Sequence, residues 1–165
     1  MTGVRLFASG SLAVGGLILM GMGIYFGFLR PSLLPEDARY MGASVDQIQY
    51  AVPGLAPWLA RVFGVLGGFL FATGLLTVYV AATGFRAGRS GATAIVAVSG
   101  LASIGGMAIT NFVIDSDFKW LLLSFTLPWL VALVLAWIDD RRQSAKYARS
   151  QPDADVEHRG ASFRG

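Results

Sequence analysis

Four stretches of this chain, at about residues 6–29, 62–82, 92–114 and 120–138, contain no Asp, Glu, Lys, Arg or His. Each is close to the roughly 20 residues that a helix needs to cross a bilayer at a rise of about 1.5 Å per residue. Lipid offers no partner to a free backbone N–H or C=O, so each stretch must be a helix or part of a closed barrel. A barrel strand alternates apolar and polar residues, and these runs do not. The expected fold is all-α: an integral-membrane four-helix bundle. The first run ends in Ile-Tyr-Phe-Gly-Phe-Leu-Arg-Pro without a small-x-small cleavage site, so it is expected to stay as the first helix.

Composition agrees and narrows the chemistry. Apolar residues make up 55% of the 165 positions and charged residues 14%, far from the balance of a soluble domain. Cysteine is absent and the single histidine, His158, lies near the C-terminus, so thiolate, iron–sulfur and histidine-ligated metal sites lose their donors. No cofactor is expected. The net charge of +3 is small, and the basic residues stand at the ends of apolar runs, which points to topology signals rather than to nucleic acid.

Those basic residues orient the bundle. Arg5, Arg86, Arg89, Arg141, Arg142, Lys146 and Arg149 would share one side, and Arg30, Arg39, Arg61 and Lys119 the other. Seven against four favours both termini in the cytoplasm of a bacterial inner membrane. Asp115, Asp117 and Lys119 then fall between the third and fourth spans. Burying such carboxylates at mid-membrane costs roughly 2.5–3.5 kcal/mol each, so an outer turn is expected, flanked by Phe112, Phe118 and Trp120 at the interface.

Residues 30–57 form the long outer connection. Pro35-Glu36-Asp37 precedes Ala38 and Met41 at near-helical spacing, and Ser44-Val45-Asp46-Gln47 has the form of a capping box, so two short helices are expected there. Pro57 can start the second span. Residues 1–140 thus read as the transmembrane domain and 141–165 as a basic to mixed-charge cytoplasmic tail, disordered after residue 150.

Small residues repeat inside the spans: Gly23 and Gly27, then Gly64, Gly68 and Ala72, then Ala102, Gly106 and Thr110. Such stripes let helix backbones touch, either within the bundle or at an interface with another subunit. Pro128 should bend the fourth helix, with Ser124 and Thr126 able to satisfy freed carbonyls. Asn111 can bond across helices, reach the Asp115 turn, or meet water. The outer acids Glu36, Asp37, Asp46, Asp115 and Asp117 either converge on a cation or solubilise a rim. Met20 and Met22, two residues apart, face different sides of their helix. Arg141, Arg142, Lys146 and Arg149 suit anionic lipid headgroups as well as topology.

The helix followed by P-S-L-L-P-E-D-A-R-Y-M-G and then R-V-F-G-V-L-G-G-F-L-F-A-T-G-L-L resembles small four-helix bacterial membrane proteins of the DoxX-like type, nearest to domain-of-unknown-function family 4345. The resemblance covers about residues 6–139. It implies a four-helix bundle and no chemistry, so no site residue comes with it. The leading functional expectation is a non-enzymatic membrane protein acting through helix or outer-loop contacts, as a homo-oligomer or as an accessory subunit with another membrane protein. A small transporter or channel for an apolar or uncharged substrate and a membrane enzyme with an outer-face site are the alternatives.

Overall fold

The computed structural model describes residues 3–89 and 91–150. The expected disordered segment 151–165 lies outside the described residues. Four helical rods are long and apolar enough to cross a membrane: Gly3–Leu29, Leu55–Phe85, Ala92–Val113 and Lys119–Arg149. The first is α1 (Gly3–Ile24) closed by a wider π-helical turn, Tyr25–Leu29. Two short helices, α2 (Pro35–Tyr40) and α3 (Val45–Ala51), occupy the connection. The second rod is α4 (Leu55–Val80) with a π turn at Ala81–Phe85. The third is α5 (Ala92–Gly100), a π turn at Leu101–Gly105 and α6 (Gly106–Val113). The fourth is α7 (Lys119–Ser124) and α8 (Leu127–Ser150).

The first rod is the axis of the bundle, buried on two stripes. One stripe, at Ser9, Gly16 and Gly23, lies against the second rod. A methyl group added to Gly67 would stand 2.6 Å from the Gly23 carbonyl oxygen and from the Gly27 nitrogen. One added to Gly74 would stand 2.5 Å from the Gly16 carbonyl oxygen and 2.7 Å from the Met20 nitrogen. Side chains are excluded at these points and backbone meets backbone. The register then runs on in strict antiparallel steps: the Ser9 hydroxyl donates to the Ala81 carbonyl (2.6 Å) and Arg5 Nε to the Phe85 carbonyl (2.9 Å).

The second stripe, Arg5, Ala8, Leu12, Gly15 and Leu19, is buried and meets α8. There Trp129, Ala132, Ala136 and Asp139 recur every three or four residues and are all buried. The Trp129 ring lies against Gly15 of the first rod and Gly100 of the third, where neither position has room for a Cβ.

The glycine motifs sort differently from their spacing. Gly23 and Gly27 take part in the contact, but the partners on the second rod are Gly67 and Gly74, not Gly64, Gly68 and Ala72. A Cβ at Gly64 or Gly68 would meet nothing within 4 Å, and Ala72 is exposed. The physical reason is the repeat: a long antiparallel contact needs small residues every seven positions, which return to the same face, and Gly16/Gly23 and Gly67/Gly74 have that spacing. On the third rod Ala102 and Thr110 are exposed and Gly106 is half-buried, so that stripe makes no close approach to another rod either.

The fourth rod breaks where Pro128 predicts a bend. Phe125 and Thr126 turn with tight bonds from their N–H groups to Leu122 and Leu123, and α8 restarts at Leu127 with Pro128 in its first turn. The hydroxyls of Ser124 and Thr126 donate to the carbonyls of Leu121 (2.6 Å) and Leu123 (2.7 Å), as expected of groups that relieve a broken ladder. The same helix continues past residue 138 to Ser150, so 141–149 is helical. Charge sets where a membrane ends, and a helix need not end there.

Gly67→Leu and Gly74→Leu should each destabilise the monomer in mild detergent by about 1–3 kcal/mol or prevent folding, since the side chain enters a backbone contact. Gly64→Leu and Gly68→Leu should leave monomer thermal unfolding within about 0.5 kcal/mol of wild type.

Candidate functional site

At the end of the bundle that carries Glu36, the first rod and α6–α7 part and leave a cavity of about 550 Å³. Its wall is apolar and aromatic: Met22, Tyr25 and Phe26 from the first rod, Met107 from α6, Leu121 and Leu122 from α7, and Phe125 from the break that follows it. Met20 points elsewhere, onto Gly74, as the two-residue offset from Met22 requires.

The polar rim is built by α2. Leu34 has extended backbone, Pro35 opens the helix, and the Asp37 carboxylate accepts from the Leu34 N–H (2.9 Å). Gly42, with φ at +71°, ends the segment in the left-handed region that glycine enters without strain. Arg30 Nη2 donates to the same Asp37 carboxylate at 2.9 Å, while the guanidinium carbon lies 3.9 Å from the Phe63 ring centre and 5.5 Å from that of Phe26. This fastens α2 to the first and second rods. Arg39 fastens its other side, donating to the Asp115 carbonyl (3.0 Å) and the Asp117 carboxylate (3.1 Å) in the turn before α7.

Held between these two clasps, Glu36 turns inward and is 4% exposed. Its Oε1 accepts one long hydrogen bond, 3.4 Å, from the hydroxyl of buried Ser116, which itself accepts from the Phe118 N–H. Asn111 also lines the cavity; among the described residues its side chain bonds within its own helix and its backbone meets the Asp115 turn. Its Nδ2 donates to the Met107 carbonyl one turn back, and its backbone carbonyl accepts from Ser116.

The expected acidic cluster therefore divides. Glu36 and Asp37 edge the cavity. Asp115 and Asp117 are exposed, in ion pairs with Lys119 and Arg39, and Asp46 is exposed on α3. Among the described residues no three acidic or histidine groups are placed to hold a metal ion. Asp115 adopts a positive φ of 52°, which aspartate tolerates in a tight turn. The hydrogen bond from the Lys119 ammonium, reinforced by its charge, holds the Asp115 carboxyl below the ordinary carboxylate range.

The opposite end carries a polar cluster that the sequence reading treats only as topology signals. Arg5 is buried at 3% exposure and donates through Nη1 to Asp140 (3.1 Å) and to the Ala136 carbonyl (3.4 Å). A cleft of about 300 Å³ lies between Arg5, Arg86, Asp139, Asp140 and Gln143. The adjacent Asp139 and Asp140, directly after an apolar run that must pack beside Arg5, are the signal that could have exposed it. Arg141 lies over the Trp137 ring at 4.2 Å and, like Arg142, Lys146 and Arg149, is exposed.

No family model matches this chain, and neither the curated proteins nor the solved structures contain a match.

Arg39→Ala or Asp117→Asn should change thermal stability by only about 0–1 kcal/mol, as an exposed pair does. Asp37→Asn removes a half-buried partner of Arg30 and weakens the α2 cap together, and should cost about 1–3 kcal/mol in the same unfolding measurement.

Proposed function

We propose that this chain is a bacterial inner-membrane protein that works by binding an amphiphilic molecule in the cavity at its Glu36 end. The observation that carries this reading is a cavity of about 550 Å³ with apolar and aromatic walls and a few polar groups at one edge, the usual composition of a small-molecule site. Phe118 and Leu121, both half-exposed, stand at its side, so a lipid-soluble molecule can enter laterally from the bilayer. The excess of basic residues at the Arg5 end supports cytoplasmic termini and an outward-facing pocket.

Photolabelling tests this. In phosphatidylcholine nanodiscs, a long-chain alcohol carrying a diazirine should form adducts on Met107, Leu122 and Phe125, and Met107→Trp should abolish them by filling the space. Adducts spread evenly over the lipid-facing surface, unchanged by Met107→Trp, would reject the pocket. A cysteine introduced at Ser44 should react with a membrane-impermeant maleimide on sealed cells, and failure to react would reverse the orientation.

A second reading, action through contacts as a homo-oligomer or accessory subunit, is favoured by one observation. Gly27, Gly64 and Gly68, with Ile24, Phe28 and Phe71, line a groove of about 440 Å³ on the outside of the first two rods, and a Cβ at Gly64 or Gly68 would meet nothing within 4 Å among the described residues. On this reading Gly64→Leu leaves the monomer stable and lowers the detergent-corrected mass of the purified assembly. An unchanged mass removes its support.

A further inference from the structure

Four ion pairs account for most of the acids near the two ends of the bundle: Arg5 with Asp140, Arg30 with Asp37, Arg39 with Asp117 and Lys119 with Asp115. At the pocket end, Arg30, Arg39 and Lys119 are thus each engaged by a different carboxylate. Glu36 is left over. Among the described residues no cation pairs with it, and its one hydrogen bond is the long contact from Ser116. Asp46 also lacks an ion pair among the described residues, but it is exposed and solvated, whereas Glu36 is more than nine-tenths buried and borders the cavity.

A carboxylate taken out of water is stable when a counter-charge or several donors replace its hydration. The protein supplies neither in full. The cavity that Glu36 borders is also lined by Tyr25, Phe118 and Phe125, and aromatic faces attract cations. Arg30 does not oppose this: its charge is matched by Asp37 at 2.9 Å and its guanidinium is stacked on Phe63. The rim therefore sets two carboxyl groups against one guanidinium at the edge of an apolar chamber.

We propose that the ligand is a cationic amphiphile, an apolar body bearing a protonated amine or quaternary ammonium head, and that the head pairs with Glu36 while the body lies between α1 and α6–α7. This rests on the pocket reading above and specifies the class of molecule that the pocket selects. Selection comes from differential affinity. A neutral head leaves the Glu36 carboxylate unmatched, and an anionic head meets it as a like charge.

The test compares three diazirine probes of one chain length, ending in trimethylammonium, hydroxyl and carboxylate, in phosphatidylcholine nanodiscs. Competition should give affinities in the order cation, alcohol, carboxylate, with the cation favoured over the alcohol by at least about tenfold. Glu36→Gln, which keeps the size of the side chain and its acceptor for Ser116, should remove the cation's advantage and leave alcohol labelling in place. Asp46→Asn, which removes an exposed acid of α3 outside the cavity and outside both clasps, should alter neither. If Glu36→Gln does not fold, the order of the three probes on wild type decides the matter. A carboxylate probe that binds best, or a cation preference that survives Glu36→Gln, overturns the proposal while the pocket stands. Failure of the alcohol itself to label the cavity rejects the pocket instead.

Discussion

The backbone contact between the first and second rods is the constraint from which the rest of the bundle follows. Within lipid there is no hydrophobic gain in bringing two apolar helices together, so close packing and hydrogen bonds must supply the attraction. Gly16 with Gly74 and Gly23 with Gly67 remove the side chains that would hold the rods apart. The contact also sets the register, delivering the Ser9 hydroxyl to the Ala81 carbonyl and Arg5 to the Phe85 carbonyl. Both acceptors lie in the π turn that ends the second rod, where helix geometry leaves carbonyls short of partners. The buried Arg5 is therefore a helix-ending device as well as the partner of Asp140.

With one side of the first rod committed to the second, its other side receives α8, and the two arrangements differ along the length. The first and fourth rods are joined near one end by Arg5–Asp140 and, at the level of Trp129, by the Ser11 hydroxyl on the Pro128 carbonyl (2.9 Å). Beyond Trp129 the fourth rod breaks at Phe125–Thr126 and continues as the short α7, and the cavity occupies the space that follows. α2 closes it from above, held by Arg30 and Arg39. The pocket is thus the product of a proline break on one rod and a clasped loop on another.

The architecture was largely legible because lipid allows few solutions. Runs 6–29 and 92–114 match the rods Gly3–Leu29 and Ala92–Val113 closely, and the capping box at Ser44 forms, with Gln47 N–H on Ser44 Oγ at 3.1 Å and Ser44 N–H on Gln47 Oε1 at 2.8 Å. The second and fourth rods are longer than their apolar runs because Arg61 and Asp139 interrupt hydropathy without interrupting a helix. Which glycines touch within the chain was not legible, since a four-residue spacing is conspicuous and a seven-residue spacing split between distant segments is not. The inward turn of Glu36 was illegible for a different reason. It depends on Arg30 and Arg39 reaching partners on opposite sides of a six-residue helix, a relation that no local pattern encodes.

Trp129 has an indole N–H that is buried without a hydrogen-bond partner among the described residues, at a cost of about 1–3 kcal/mol for such a group. Chemistry at the nitrogen therefore does not explain the residue, and its shape does. The ring lies between the Gly15 and Gly100 backbones, so the first and third rods stand one indole apart at that level. It is a spacer, acting as a fulcrum does between two beams. The width between those two rods at that level is thus set by a side chain that the fourth rod supplies, and it is set outside the cavity.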